Sequence, residues 1–357
     1  MIAVLAVLLF LSPLPQESAQ RLRAGQEKLK VRDFDGAIPD FERCLQLQPE
    51  EFNASFGLGI CLWEKEEYKK AREQFARVVE LVEKEKPGAP LPGVHQKLLG
   101  CAILLEDFDA AEREATHLIQ IQATGEYYYD RALARQRKGD LKGALEDAAS
   151  ALKEDSHLTK ARSLKAEVLL AQGESKAALE ELDEAIRLKP SDPTAFLARA
   201  CAQYREGHWA EAQRDLQSAA ALNKGQNSNL ENQGYACAME YLLRTRLKSP
   251  QPPRDAAAGF EKVLKELKRS PSKNHLLALP LYLADQLPET DLLAAAEAAP
   301  GRKTQARAEV LFFIAERKLL EGDKAVAREY FKKCAGTGAR GNFEHDLALL
   351  RLKALED

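Results

Sequence analysis

The stretch "RALARQRKGDLKGALEDAASAL", residues 131–152, returns in looser form as "RACAQYREGHWAEAQRDLQSAA", residues 199–220, with each matching letter displaced by 68 positions. Half of that interval places a third copy between them, "KAEVLLAQGESKAALEELDEAI" at residues 165–186. The chain is therefore a tandem array. Aligned on the alanine that follows each turn, the copies give Ala37, Ala71, Ala111, Ala144, Ala178 and Ala212, at steps of 34, 40, 33, 34 and 34. A period of this length marks a stack of supersecondary units rather than one globular core.

Within each copy, apolar residues recur at helical spacing on both sides of a turn marked by Gly139-Asp140, Gly173-Glu174 or Gly207-His208. Each unit is thus two antiparallel helices. Small residues at Gly59, Gly100, Ala132, Ala166 and Ala200 are expected to face the anchor alanines and let the paired helices approach closely. Phe34, Tyr68, Phe108, Leu141 and Trp209 are expected to fill the turn as core, and Pro49 and Pro190 to close second helices. Arg131 and Asp147, Lys165 and Glu181, and Arg199 and Asp215 are each 16 residues apart, so each pair could bridge the two helices of a unit.

The second copy reads Ser55-x2-Leu58-Gly59-x2-Leu62 and then Ala71-x3-Phe75, while the first carries Ala37-x3-Phe41 and Pro49. In these positions the chain resembles the tetratricopeptide repeat (TPR) family. The resemblance implies an all-α fold, an α-solenoid wound as a right-handed superhelix of eight to nine tandem TPR-like helix pairs with a C-terminal capping helix. It also implies a non-catalytic protein–protein interaction scaffold or adaptor, whose first helices line a concave groove for a protein or peptide partner. Following the phase places Phe56, Trp63, Tyr129, Arg137, Tyr204, Arg205 and Tyr235 on that groove as partner-binding residues. Some members of the family clamp a terminal carboxylate with lysine and asparagine. The matching places here hold Leu22, Gln26 and Gly57, or Tyr129, Leu133 and Leu164, which disfavours a co-chaperone of that type.

The period slips twice. The step of 40 contains "EKEKPGAPLPG", which reads as an extended loop, and "TRLKSPQPPR" at residues 245–254 interrupts a seventh repeat. The organisation is then a signal peptide over residues 1–19, six repeats over 20–225, the interrupted repeat over 226–271, and a degenerate repeat, last repeat and capping helix over 272–357. The tail, with "LLEGD", "AREYF" and "NFEHDLALL" in that order, is similar to the end of new lipoprotein I and related bacterial envelope repeat proteins.

Composition bounds the function. Of 357 residues, 45% are hydrophobic and 30% charged, and a formal charge of -3 provides no general field for nucleic acid or anionic membrane. The apolar run Ile2 to Leu11 is too short to span a bilayer and reads as a signal-peptide core, which places the protein in the periplasm or cell envelope. The alternative is a buried first helix in a cytoplasmic TPR scaffold or assembly factor. The first cysteine is Cys44, so no direct lipid anchor is evident. A patch at residues 244–273, with nine basic and three acidic residues, reads first as a solvated loop and helix face and second as a site for an acidic partner.

No chemistry-bearing motif appears. Six histidines never fall at HExxH spacing and six cysteines never form CxxC, so neither a metal nor a cofactor is expected, and the cysteines read as free, buried thiols. "GTGARG" follows a helix instead of a strand and reads as a helix stop. Glu344-His345-Asp346 lies on the capping helix with no nucleophile implied. A helical-toroid hydrolase, the rival from another class, would show clustered carboxylates or histidines on groove-facing helices, and none is visible in the sequence.

Overall fold

A computed structural model describes residues 15–222, 230–247, 275–283, 285–299, 303–339 and 342–355, and every regular element among them is a helix. The helices follow one another in antiparallel pairs: α1 (Gln16–Lys30) with α2 (Phe34–Leu47), α3 (Phe52–Glu64) with α4 (Tyr68–Glu85), and α5 (Pro92–Leu104) with α6 (Phe108–Ile121). Next come α7 (Gly125–Lys138), α8 (Leu141–Glu154), α9 (Thr159–Ala171), α10 (Ser175–Leu188), α11 (Pro193–Glu206) and α12 (Trp209–Leu222). The chain continues through α13 (Leu230–Arg246), α14 (His275–Leu283), α15 (Glu289–Glu297), α16 (Lys303–Leu320), α17 (Lys324–Ala335) and α18 (Phe343–Ala354). This is the all-α solenoid arrangement of tandem helix pairs. Packing divides it into two compact units, one up to Ala134 and one from Arg135 on.

The turn chemistry explains why the pairs form where they do. A residue in the left-handed region ends most first helices, with φ of 87° at Gly139, 85° at Gly173 and 81° at Gly207. The next residue often caps the second helix. Asp140 accepts from the Gly143 N–H at 3.0 Å, and Asp33, Asp107 and Asp323 do the same for Gly36, Ala110 and Val326. The earlier pairs place Arg32, Glu66 and Glu106 at the left-handed position, with φ of 60°, 62° and 56°. Those side chains cost backbone energy that glycine avoids.

In the first unit the core gathers around Ala37, Phe41, Ala71, Phe75 and Ala111, all with no exposed surface. Ala144, Ala178, Ala212 and Ala327 are equally enclosed in the second unit. Two of the small residues lie against aromatic rings. A Cβ on Gly59 would lie 2.7 Å from the Phe75 ring, and one on Gly100 would lie 2.6 Å from the Trp63 indole. These glycines therefore make room for aromatic rings. Phe34, Phe108 and Trp209, at the start of second helices, pack half-buried on the core as expected.

Ion pairs tie first helices to second helices at one repeated place. Arg199 holds Asp215 through two nitrogens at 2.8 and 2.7 Å, and Lys165 holds Glu181 at 2.6 Å, as the spacing predicts. Arg162 adds a second cation to Glu181 at 2.9 Å, and Arg135 reaches Asp147 at 2.9 Å. Asp40 is the first-unit equivalent, held by Arg21 at 2.8 Å and Lys28 at 2.6 Å. Burial pushes the Asp40 carboxyl up, but the hydrogen bonds from Lys28 and Arg21 more than offset it and leave it below its ordinary range.

The slip in the period is a loop at residues 86–91, between the end of α4 at Glu85 and Pro92 at the start of α5. Helix α1 begins at Gln16, and Ser18 is fully buried, with its Oγ 3.3 Å from Cys44 Sγ. Residues 16–19, assigned to the signal segment from sequence, thus belong to the first helix, while residues 1–14 lie outside the described residues. Residues 248–254 of the proline-rich insertion and most of the basic patch also lie outside them.

Two substitutions separate packing from backbone conformation. Ala178→Leu should cost about 1 to 3 kcal/mol by overpacking between helices. Gly173→Ala meets open space, so it should cost only about 1 to 2 kcal/mol through its φ of 85°. Urea denaturation midpoints check both, and an Ala178→Leu midpoint equal to wild type would contradict the packing described.

Candidate functional site

First helices of successive pairs touch one another, α1 on α3 in the first unit, and α9 on α11 and α11 on α13 in the second. On α3, Phe56, Ile60 and Trp63 fall at i, i+4 and i+7, one stripe of the helix. All three stay half-exposed. The Phe56 ring rests 5.7 Å from Phe75, and Trp63 meets the edge of Tyr68 at 5.3 Å. Lys97 Nζ sits 4.9 Å from the Trp63 ring, a cation–π contact at the mouth of the stripe. Ile103 on α5 and Tyr129 and Leu133 on α7 are half-exposed at matching places.

In the second unit, later helices pack on the first helix α11. Tyr204 was expected to be a groove anchor, but it has no exposed surface. Its hydroxyl donates to Glu316 on α16 at 3.1 Å and accepts from Arg246 on α13 at 3.0 Å. Its ring lies 6.4 Å from Phe343 on α18 and 5.1 Å from Trp209. Glu316 is fully buried and also pairs with Arg246 and, at 2.7 Å, with Arg351. Contacts from α13, α16 and α18 make Tyr204 part of the core.

Tyr235 is half-buried and donates to Glu344 at 2.6 Å, with Cys201 Sγ 3.4 Å from its hydroxyl. Arg137, half-buried on the last turn of α7, acts by charge on Glu167 and Glu344. Arg205 is half-buried at the end of α11. The structure therefore leaves Phe56, Trp63 and Tyr129 partly exposed in the first unit, and sets Tyr204 and Tyr235 in a filled seam of the second.

That seam contains residues no motif pointed to. Glu309 bonds His275 at 2.6 Å and Gln305 at 2.8 Å. Glu344 is 2% exposed, and burial first, then the neighbouring Glu309 charge, push its carboxyl up to about 8. Burial also raises Glu167, which accepts from Gln136 at 3.1 Å. All six cysteines are free and buried, and burial lifts the Cys61 and Cys101 thiols to about 11, which makes them poor nucleophiles. Among the described residues, no group of three His, Cys, Asp or Glu side chains could hold a metal ion.

The family pattern described as Tetratricopeptide repeat matches residues 22–90 and 129–193, and a second, described as TPR repeat, matches 166–223. The chain is a tetratricopeptide repeat protein. Among solved structures, a tetratricopeptide repeat protein from Parabacteroides merdae shares the fold at TM-score 0.57 and 15% identity, covering 76% of this chain and all of that one (100%). YrrB, described as a TPR protein with an unusual peptide-binding site, aligns at TM-score 0.44 and 20% identity over 49% of this chain and 88% of its own. MamA from Desulfovibrio magneticus aligns at 0.45 and 15% identity over 50% of this chain and 99% of its own. No curated protein matches the sequence. Repeats of this family form scaffolds for protein interaction and are generally non-catalytic.

Two variants probe the seam. Glu316→Ala should cost about 3 to 5 kcal/mol, since it leaves Arg246 and Arg351 facing an enclosed site without their carboxylate. The pH dependence of Glu344 has the opposite sign to that of Asp40. Its folded value of about 8 exceeds the ordinary 4.5, so its stabilisation is full below that ordinary value and falls as pH rises toward the folded one. The slope is at most about 1.4 kcal/mol per pH unit. Glu344→Gln should flatten this loss, measured as the change in urea midpoint between about pH 5 and about pH 8.

Proposed function

We propose that this TPR protein is an adaptor of the cell envelope that captures a protein or peptide partner on the inner face of its first unit. The observation that carries the reading is the half-exposed stripe of Phe56, Ile60 and Trp63 on α3, with Ile103 and Leu133 also half-exposed on later first helices. Apolar and aromatic side chains at helical spacing on an open face suit the side chains of a bound segment. Lys97 beside Trp63 favours a partner with acidic or carbonyl groups near its apolar anchors. The mechanism is display of a preformed surface, without a chemical step. Among the described residues, no helix is long and apolar enough to cross a membrane. The envelope location is supported by the run Ile2 to Leu11, and N-terminal sequencing of the mature protein tests it.

Phe56, Ile60 and Trp63 all pack in part on the core, so the test pairs Ile60 with Leu133 and reads folding before binding. The double variant Ile60→Arg/Leu133→Arg should keep wild-type helicity and weaken binding of the native partner by more than about tenfold, since anchors of this kind often contribute about 2 kcal/mol each. The partner is identified by affinity capture from the source organism and then titrated against both proteins. Equal affinity for a folded double variant would move the binding surface elsewhere.

A further inference from the structure

The end of α15, the start of α16 and the end of α17 enclose a cleft of about 410 Å³, lined by Lys303, Arg307 and Lys333 together with Thr304 and Glu297. Lys303 and Arg307 stand one turn apart on α16, so their charges share a face, and Lys333 reaches the same cleft from α17. Three cations against one carboxylate leave the cleft net positive. Glu297 does not neutralise even its nearest neighbour: its Oε1 lies 3.7 Å from Arg307 Nε, beyond hydrogen-bond reach, and the two side chains stay 60% and 61% exposed. Lys303 and Lys333 pair with no carboxylate among the described residues, and the Thr304 hydroxyl makes no hydrogen bond among them.

The surroundings hold this charge in place. Lys333 Nζ sits 4.6 Å from the centre of the Tyr330 ring, and the Tyr330 hydroxyl in turn donates to Glu289 on α15. The carbonyls that end α17 would oppose an anion, but they are occupied. The Gly336 N–H takes Lys332 O at 2.9 Å, and the Thr337 N–H and hydroxyl both donate to Cys334 O, at 3.1 and 2.7 Å. On the facing wall, the first turn of α16 carries no acidic residue, and its N–H groups add partial positive charge to that of the side chains. Like charges gathered without partners repel one another, and an anion between them turns that repulsion into attraction.

We propose that this cleft binds a phosphomonoester dianion, with Arg307 as a two-pronged donor, Lys303 and Lys333 balancing the charge, and the Thr304 hydroxyl as a further donor. Three cations and a hydroxyl offer more donors than the two oxygens of a carboxylate can use, whereas a phosphoryl group presents three oxygens and up to two charges. The volume leaves room beside the phosphoryl group for the rest of a small molecule. The site is built from second-unit residues at helix ends, and it does not rest on the function assigned to the first unit.

The test titrates the full-length chain calorimetrically with ribose 5-phosphate at low salt, with ribose as the uncharged control, and sediments it with phosphatidylcholine vesicles carrying phosphatidate. Binding of ribose 5-phosphate but not ribose supports a soluble ligand, and sedimentation with phosphatidate vesicles supports a lipid headgroup. Lys303→Gln/Lys333→Gln changes only exposed side chains and should weaken the observed binding at least about tenfold. Lys324→Gln/Lys353→Gln removes the same charge from exposed positions outside the cleft and should leave the binding unchanged. Wild-type protein that takes up neither phosphate-bearing probe, or that binds ribose equally well, overturns the proposal. So does an equal loss in the two double variants, which would reduce the cleft to general surface charge.

Discussion

Close approach of the two helices at a fully enclosed alanine is the constraint on which the rest of the structure depends. Ala37, Ala71, Ala111, Ala144, Ala178 and Ala212 have no exposed surface, so a larger side chain at any of them would find no room among the packed helices. Phe41 and Phe75 reach across beside it, and they fit because Gly25, Gly57 and Gly59 lack a Cβ where the rings lie. No single pair can bury both of its faces. Stacking the next pair completes the burial, which is why sequence periodicity and structural periodicity coincide.

Polar groups then fix the register that apolar packing leaves loose. Two greasy helix faces can slide by a residue at little cost, whereas Asp215 accepts both nitrogens of Arg199 in one alignment only. Asp40, Asp147 and Glu181 occupy the equivalent place and find their cations on the paired helix. A partly exposed pair adds little stability, about 0 to 1 kcal/mol. Its value lies in penalising the wrong register, because a slipped helix would strand a buried carboxylate without its cation.

Locality decided what the sequence could reveal. Helix pairs, turn positions and the partners of Asp215 and Glu181 were legible because each lies within one period, where helical geometry dictates which residues meet. The Gly139-Asp140 turn was legible for the same reason, with the left-handed residue and the helix cap adjacent in the chain. The Tyr204–Glu316 bond spans 112 residues and the Tyr235–Glu344 bond 109, and no local rule links such positions. Glu344 could be placed on a capping helix, but its burial depends on where that helix comes to rest. Arg32, Glu66 and Glu106 hid the turn in the early repeats, since glycine was the signal being followed.

The same helical phase therefore has two physical meanings in one chain. On α3 it yields Ile60 and Trp63, half-exposed and available to something outside the first unit. On α11, Tyr204 has no exposed surface, because α13, α16 and α18 of the second unit cover it. Amphipathic spacing identifies which residues avoid water, but not what shields them from it. Where a later helix supplies the cover, the seam carries a network of Glu316, Arg246, Arg351 and Tyr204 that apolar packing alone would not require. Such a network costs desolvation and returns specificity: it selects the one docking of α16 and α18 that satisfies every donor, a selection that Leu347 and Phe343 could not make by burial alone.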